Sequence, residues 1–376
     1  MKAGAARRDI TPPIGIPLAG TGTVRLGTHV EERLHVRALV LEQNGLRHAI
    51  VTADVLGFSS QMVVRVRRYC QKSFDIEGML FNASHTHSGP NVCWNWTIGE
   101  TASIKTRRLA YQKEFERKLR EVVAVAVQKL RPVVVRNGEG QAHFGINRRV
   151  KIGSRWEFRP NPEGFHDKTV SVLEFASPTG KPLAILFSHA CHPTTRYDTE
   201  ISTDFPGVAC RLIEARTKAV ALFVQGACAE IRPKITKPGG QEFRKGTRAD
   251  VNREGRELAG EVQRILRAQM TRLEPVLAVS ELEVALPFSA PLRPGQLQEF
   301  DHSDLTAEFK QAWVSWMRRG NLPKALPMPM LLMRLSEECA ILATGHELCN
   351  GYVPLLQALA GKTKLIVLGY TNDYRA

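Results

Sequence analysis

Several patterns that identify common protein classes do not occur in this chain of 376 residues. No stretch approaches about 18 consecutive apolar residues, so we expect no transmembrane helix. The N-terminal residues 1–13 are partly charged and contain no apolar core of a signal peptide, so we expect no secretory signal. The seven cysteines include no CxxC pair, which indicates mostly buried, reduced thiols. These features together predict a cytoplasmic protein.

Familiar catalytic motifs are also missing. There is no GxSxG sequence, so a serine hydrolase with a nucleophile elbow has no support. There is no P-loop and no GxGxxG, so nucleotide binding has no support either. His346 precedes Glu347 without a following HExxH pattern, which excludes a zincin helix.

The chain has little negative charge relative to positive charge, with 37 Asp and Glu against 52 Lys and Arg and a formal net charge of +15. Such a surplus favours acidic partners, which include nucleic acid, anionic lipid and anionic substrates. However, the basic residues are scattered in ones to threes, and no groove-reading motif or array of stacking aromatics accompanies them. We therefore predict a basic enzyme whose partner is a small molecule, with neither nucleic-acid binding nor integral membrane insertion.

Hydrophobic periodicity predicts strands and helices that alternate along the whole chain. The predicted strands are 36–41, 49–53, 79–83, 133–135, 143–146, 169–175, 183–187, 219–224, 276–286, 331–335, 339–343 and 364–368. The predicted helices are one that follows Ser59, then 104–130 with Leu109 and Leu119 in its apolar stripe, 204–215, 248–270, 305–317 and 353–360. Because no linker, internal repeat or shift in composition interrupts this order, we predict one large α/β (mixed α+β) domain over residues 1–376.

Polar, metal-ligating residues follow the ends of several predicted strands. His85 and His87 follow one strand, His192 follows another, and Glu347 follows a third. Ligands often bind where the strands of an α/β sheet end, and imidazole with carboxylate is a common zinc ligand set. The His-x-His spacing places two imidazoles on one face. Either both bind one metal, or one binds it while the other transfers protons; a structural pair is the alternative interpretation.

The same regions resemble a known family. Ser84-His85-Thr86-His87-Ser88-Gly89-Pro90 resembles the most specific block of the N-terminal domain of neutral/alkaline (non-lysosomal) ceramidases and their shorter bacterial relatives. Further blocks on both sides of it occur in the family's order, and they are residues 8–12, 36–40, 52–57, 147–148, 190–194, 226–233, 345–347 and 369–374. The resemblance implies two mixed β-sheets flanked by helices, in a short bacterial-type relative that lacks the family's C-terminal immunoglobulin-like domain.

The resemblance also implies site residues. In the family, two His, a Glu and a Tyr hold one zinc ion, and the matching positions here are His85, His192 and Glu347. Tyr374 supplies the first Tyr of the family's Asn-x-Tyr-x-x-Tyr pattern, and this sequence stops before the second, which is the zinc ligand. Tyr374 is therefore the expected fourth ligand if the terminal segment bends toward the metal, and water takes that position otherwise.

Three further residues receive catalytic roles from the resemblance. His87 matches a catalytic His, and Arg148 matches an active-site Arg. Arg232 stands where the family has a Ser thought to work beside the zinc. An arginine cannot act as that nucleophile, but its guanidinium can bind an anion.

The resulting prediction is a hydrolase with one Zn²⁺ per chain that cleaves an amide C–N bond of a small, anionic N-acyl substrate through metal-activated water. His87 would act as general acid/base or oxyanion donor, and Arg148 and Arg232 would bind the anionic group. Two alternatives stay open. One is ester or lactam hydrolysis at the same metal site, and the other is a non-catalytic basic binding protein with a degenerate site.

Overall fold

The computed structural model describes residues 1–94, 97–287 and 324–374. These residues form five helices: α1 (Ser60–Phe74), α2 (Ala102–Gln128), α3 (Asp204–Thr217), α4 (Arg248–Arg267) and α5 (Tyr352–Ala360). They also form the strands β1 (Lys2–Asp9), β2 (Pro17–Leu18), β3 (Arg25–Leu26), β4 (His29–Val30), β5 (His35–Gln43), β6 (Leu46–Ala53), β7 (Ile76–Ala83), β8 (Arg131–Pro132), β9 (Val134–Gln141), β10 (Gly145–Ile152), β11 (Arg155–Asn161), β12 (Thr169–Ala176), β13 (Pro182–His189), β14 (Glu200–Ile201), β15 (Val220–Gln225), β16 (Ile231–Pro233), β17 (Thr271–Leu273), β18 (Ala278–Pro287), β19 (Ala325–Ser336), β20 (Cys339–Thr344) and β21 (Lys364–Leu368). None of the helices in this described part of the chain is long and apolar enough to span a lipid bilayer. The predicted mixed α/β class is confirmed.

Two five-stranded sheets form the centre of the fold. Their strand orders are β7-β6-β5-β1-β8 and β15-β13-β12-β9-β17. Each sheet combines antiparallel pairs with one parallel pair, which is β6–β7 in the first and β13–β15 in the second. A four-stranded sheet, β18-β19-β20-β21, also ends in a parallel pair. Smaller sheets are β11-β10-β16, β14-β4 and β2-β3.

Alternating side chains stack these elements into layers. In β5, Leu39 lies in a core shared with the second sheet, whereas Val40 lies in the core beneath the helices. In β13, Leu186 likewise lies in the core between the sheets, and Phe187 lies in the core beneath the helices. Helices α1 and α2 therefore cover the outer face of the first sheet, and α3 and α4 cover that of the second. The prediction of two mixed sheets flanked by helices is confirmed.

Local sequence explains where elements begin and turn. The Ser59 side chain accepts a hydrogen bond from the backbone N–H of Met62 and starts α1. Asn44 and Gly45 both have positive φ, 54° and 81°, and form the two-residue turn between β5 and β6. Most predicted strands and helices form within a few residues of their predicted limits, although β9, β10 and β19 are longer than predicted.

The apolar stripe predicted for the long helix needs one correction. Leu109 is 42% exposed, while Tyr111, Phe115 and Leu119 are buried. The inward position beside Leu109 belongs to Arg108, which is fully buried and bonded to the Glu100 carboxylate at 2.6 and 2.8 Å. A paired arginine thus occupies a place that a hydrophobic pattern assigns to leucine. The helix predicted at 305–317 lies outside the described residues.

The cysteines agree with the prediction of mostly buried thiols. All seven are free, and six of them are buried, with Cys349 exposed. Burial raises the pKa of Cys93 and Cys210 to about 12, so both thiols are protonated at neutral pH.

Candidate active site

The ends of β7, β13, β15 and β21 come together at one edge of the sheets. Asn82, fully buried near the end of β7, connects three of these strand ends. Its side-chain amide donates to the carbonyl of Gly369 at 2.8 Å, and its side-chain oxygen accepts from the backbone N–H of Gln225 at 2.7 Å. The loops that follow these strands therefore face one another, as expected for ligand sites at strand ends.

The backbone bends sharply in these loops. His85, His346 and Tyr370 each come two residues after a strand, and their φ angles are 67°, 62° and 54°. Residues other than glycine seldom adopt this left-handed conformation, which carries strain and is typical of functional sites. At His85 the bend directs the imidazole into the interior, where it is fully buried.

Three imidazoles share one hydrogen-bond arrangement. In each of His85, His87 and His192, Nδ1 lies within hydrogen-bond distance of a backbone carbonyl. Because a carbonyl only accepts, each Nδ1 carries the proton and each Nε2 presents a lone pair. Ligating histidines are commonly oriented in this way. The Nδ1–O distances are 2.8 Å from His85 to Leu56, 3.0 Å from His87 to Gly20, and 2.6 Å from His192 to Cys228.

The free nitrogens of these imidazoles converge. The Nε2 atoms of His85 and His87 are 3.3 Å apart, and one ring nitrogen from each of the three residues lies within 4.8 Å of the others. Burial, with the neighbouring Arg148 guanidinium, lowers the pKa of His192 to about 4, and burial lowers that of His87 well below its ordinary value. The imidazoles of His87 and His192 are therefore neutral at pH 7, and the hydrogen bonds at Nδ1 leave the Nε2 lone pairs of all three rings facing one another. A cation is the partner that such a donor set fits.

Glu347 adds negative charge to the group. One carboxylate oxygen lies 3.4 Å from Nε2 of His85, and the other lies 3.4 Å from Nε2 of His192. Two imidazoles and a carboxylate, the predicted ligands, therefore lie together.

Tyr374 closes the group from the C-terminal segment. Its phenol donates to Oε1 of Glu347 at 3.0 Å, and its ring packs with those of His85 at 5.3 Å and Trp94 at 6.3 Å. The approach depends on Gly57, because a Cβ there would lie 2.5 Å from Cβ of Tyr374. The segment thus bends toward the histidines, as the prediction for Tyr374 requires.

Arg148 lies directly beside the donor group, which consists of His85, His87, His192 and Glu347. It occupies an irregular position between Asn147 and Arg149 where the register of β10 and β11 shifts, a type of feature that reorients side chains near sites. Its Nη2 donates to the Ala229 carbonyl at 2.5 Å, and lies 3.2 Å from Nε2 of His192. The same nitrogen is 3.9 Å from the Glu347 carboxylate.

Arg232 is the predicted residue whose contacts lie outside this donor group. Its side chain is buried, with the guanidinium 4.3 Å from the ring centre of Phe243 and 5.4 Å from that of Phe158. Its Nη2 donates to the carbonyl of Thr194 at 3.4 Å. Since Thr194 follows His192 by two residues, Arg232 borders the site through this loop.

Two further residues, Tyr370 and Cys228, contact the donors. The Tyr370 ring packs on that of His85, with centroids 4.1 Å apart, and its hydroxyl lies 3.2 Å from Sγ of Cys228. Cys228 also places Sγ 3.3 Å from Nδ1 of His192. Tyr370 follows the last strand by two residues, so its place at a strand end was the available signal. Cys228 flanks the site as a buried thiol.

Comparisons with known proteins concern the family and the fold of the chain. The family model described as neutral/alkaline non-lysosomal ceramidase, N-terminal, matches residues 1–252. The solved structure of neutral ceramidase from Pseudomonas aeruginosa superposes with a TM-score of 0.72 at 18% identity, and covers 99% of this chain and 68% of that one. A ceramidase complexed with C2 gives a TM-score of 0.71 at 18% identity over the same shares. No curated protein matches the sequence.

Proposed function

Because this chain belongs to the neutral/alkaline non-lysosomal ceramidase family, we propose that it is a zinc-dependent hydrolase that cleaves amide bonds of small N-acyl compounds. One observation carries the proposal. Three imidazoles, each fixed through Nδ1 by a backbone carbonyl, direct Nε2 toward a common space that the Glu347 carboxylate borders.

His85, His192 and Glu347 would hold the metal, with Tyr374 completing the set. A zinc ion bound there supplies a Lewis acid that activates water and polarises a carbonyl group near neutral pH. Backbone carbonyls hold both histidines, and the phenol of Tyr374 holds the carboxylate. Such outer contacts fix the orientation of ligands before the metal arrives.

The reaction would convert an amide and one water into a carboxylic acid and an amine. One C–N bond breaks, and one C–O bond forms to the acyl carbon. The Nε2 lone pair of His87 would take a proton from water and return it to the leaving nitrogen, which suits an imidazole that burial keeps neutral. Arg148, with one guanidinium nitrogen beside His192, would donate to the oxygen that gains negative charge.

We propose that long-chain ceramide is a poor substrate. Arg232 stands at the position where the family resemblance places a serine, and its guanidinium is buried against Phe158 and Phe243. A guanidinium is larger than a hydroxyl and carries a permanent charge, so this position disfavours a neutral lipid head.

Metal analysis and an amide panel would test the proposal together. We expect about one zinc per chain after purification, loss of amide hydrolysis after chelation and recovery with Zn²⁺. The panel would contain octanoyl amides, matched octanoyl esters and a lactam, and His143→Gln, which changes an exposed histidine, would be the control. Absence of stoichiometric metal, or turnover of esters and lactams alone, would overturn the assignment as an amidase.

A further inference from the structure

Arg232 is a buried cation without an ionic partner among the described residues. It is 6% exposed, its Nε has no hydrogen-bond partner, and its one described polar contact is the carbonyl of Thr194. The rings of Phe243 and Phe158 cover its guanidinium but carry no formal charge. A buried charge normally has a counter-charge, so its absence here calls for an explanation.

Glu230, the nearest carboxylate along the chain, is committed elsewhere. Its two oxygens accept from the backbone N–H groups of Asn350 at 2.8 Å and Gly351 at 3.2 Å. The carboxylate therefore binds the two residues that precede α5 and has no described contact with Arg232.

Asp204 is the carboxylate that acts on Arg232 electrostatically. Its oxygens accept from the backbone N–H groups of Arg196 at 3.0 Å and Phe205 at 2.7 Å. Burial raises its pKa to about 7, so it is only partly ionised near neutral pH. Asp204 therefore provides incomplete compensation for the guanidinium.

A second cation borders the same aromatic ring. The guanidinium carbons of Arg148 and Arg232 each lie 5.4 Å from the centre of the Phe158 ring. Strand pairing explains this, because Arg232 is paired with Ile146, and Arg148 is the next residue but one on the same strand. Two like charges near one ring repel each other, and burial together with Arg148 lowers the pKa of Arg232.

Unused hydrogen-bond groups collect in the same region. Nε of Arg148, Nε of Arg232 and the hydroxyl of Thr194 are buried and have no hydrogen-bond partner. Phe158 is 43% exposed, so the region opens to solvent at this ring. Two guanidinium groups and a hydroxyl are donors that match the oxygens of a compact anion.

We propose that Arg232, Arg148 and Thr194 form a subsite for a compact anionic group, a carboxylate or a sulfonate, carried by the amide substrate. The proposal rests on the proposed amidase function and names its substrate class. The subsite adjoins the donor group, since Arg148 contacts both Phe158 and His192. The enzyme thus selects N-acyl compounds whose amine portion ends in an anion.

A matched substrate pair would test the selectivity. We would compare kcat/KM for N-octanoylglycine, N-octanoyltaurine and the neutral N-octanoylglycinamide by measuring octanoate release. We expect the two anionic substrates to exceed the neutral amide by roughly 10- to 100-fold, the scale of a charge-assisted hydrogen bond. The glycine-to-taurine ratio distinguishes a carboxylate subsite from a sulfonate subsite. In Arg232→Met, the preference of the enzyme for the two anionic substrates over glycinamide should vanish.

Variants separate recognition from folding. Arg159→Met removes a charge from the same strand as Phe158, where Arg159 is an exposed partner of Glu157, and should keep the preference. Arg232→Lys keeps the positive charge but lacks the planar guanidinium group. It should retain part of the preference for anionic substrates. If Arg232→Met does not fold, the comparison of Arg232→Lys with the wild type decides. If Arg232 is purely structural, Arg232→Met will have a lower melting temperature and an unchanged glycine-to-glycinamide ratio. That result would overturn the proposal.

A binding measurement keeps this test independent of catalysis. Inorganic sulfate, titrated by calorimetry into the purified protein, should bind at least 10-fold more weakly to Arg232→Met than to the wild type and to Arg159→Met. If no amide is hydrolysed but sulfate binding depends on Arg232, the proposed function fails and the subsite stands. If amides are hydrolysed without charge preference and sulfate binding ignores Arg232, the subsite fails and the proposed function stands.

Discussion

The phenol of Tyr374 donates a 3.0 Å hydrogen bond to the same carboxylate oxygen of Glu347 that lies 3.4 Å from Nε2 of His85. The C-terminal segment is thereby connected to the histidines near the beginning of the chain through one carboxylate. Because Tyr374 is buried and packs against Trp94, its hydroxyl is held in place before any ligand binds. The contact makes Tyr374 part of the donor set or its immediate support.

Removing this hydroxyl should weaken the metal site. We expect Tyr374→Phe to bind zinc roughly 10- to 100-fold more weakly, the usual effect of losing a group that orients a ligand. Competition with a chromophoric chelator would give the affinity. Tyr69→Phe, which changes a partly exposed tyrosine on α1, is the control. An unchanged affinity in Tyr374→Phe would contradict a role at the metal.

Removing a ligand should have a larger effect. We expect His192→Ala and Glu347→Gln to lose stoichiometric zinc, because each removes a donor from a group that contains few others. Elemental analysis of the purified variants measures this, with His143→Gln as a variant of an exposed histidine. Full zinc content in both variants would show that the metal binds elsewhere.

His87 should behave differently from the ligands. We expect His87→Ala to retain zinc and to lose roughly 10²- to 10⁴-fold in amide turnover, the contribution of a general acid or base. Metal content and kcat are measured on the same preparation. Its Nε2 lies 3.3 Å from that of His85, so a direct ligand is the competing role. Loss of zinc in His87→Ala would establish that role instead.

Acid should destabilise the protein through two histidines outside the donor group. Burial lowers the pKa of His166 and His189 from 6.5 to about 4, and the two rings lie 6.2 Å apart. Each stays neutral in the folded protein while the unfolded chain takes up a proton, so stability falls as pH drops from 6.5 toward 4. A pKa change of this size corresponds to roughly 3 kcal/mol per histidine.

Urea unfolding between pH 7 and pH 4.5 would check this expectation. His189→Gln retains a donor for the Thr169 carbonyl, which lies 3.2 Å from Nδ1 of His189, and it does not titrate in this range. Its free energy of unfolding should therefore depend less steeply on pH than that of the wild type. The exposed His29, changed to Gln, provides the comparison. Equal slopes in wild type and His189→Gln would contradict the expectation.

The sequence predicted the part of the site that depends on strand ends. His85, His192 and Glu347 each follow an apolar run, and buried strands read as such runs, so their common location could be inferred. The surroundings of Arg232 could not. Its aromatic neighbour Phe158 lies on β11, whose exposed and charged residues do not show a strand pattern, and the contact joins segments far apart in the chain.

Other differences also come from contacts between distant segments. β1 was not predicted, because alanine, glycine and arginine are weak strand formers, and its pairing with β5 decides its structure. The position of Tyr374 depends on the space above Gly57, which no local pattern encodes. Local periodicity thus predicted the secondary-structure elements and their ends. Packing between distant segments determined the strand register and the neighbours of each side chain.

The order of the donors along the chain has a consequence for biosynthesis. Glu347 follows β20, and Tyr374 follows β21, which pairs in parallel with β20 across a connection that includes α5. Such pairing forms only after the later strand is available. Until the ribosome has added β21 and Tyr374, the nascent chain contains the histidines but has neither the carboxylate nor the phenol in place. The proposed hydrolytic centre can therefore assemble only after Tyr374 has been synthesised, and we expect a shorter nascent chain not to hydrolyse amides.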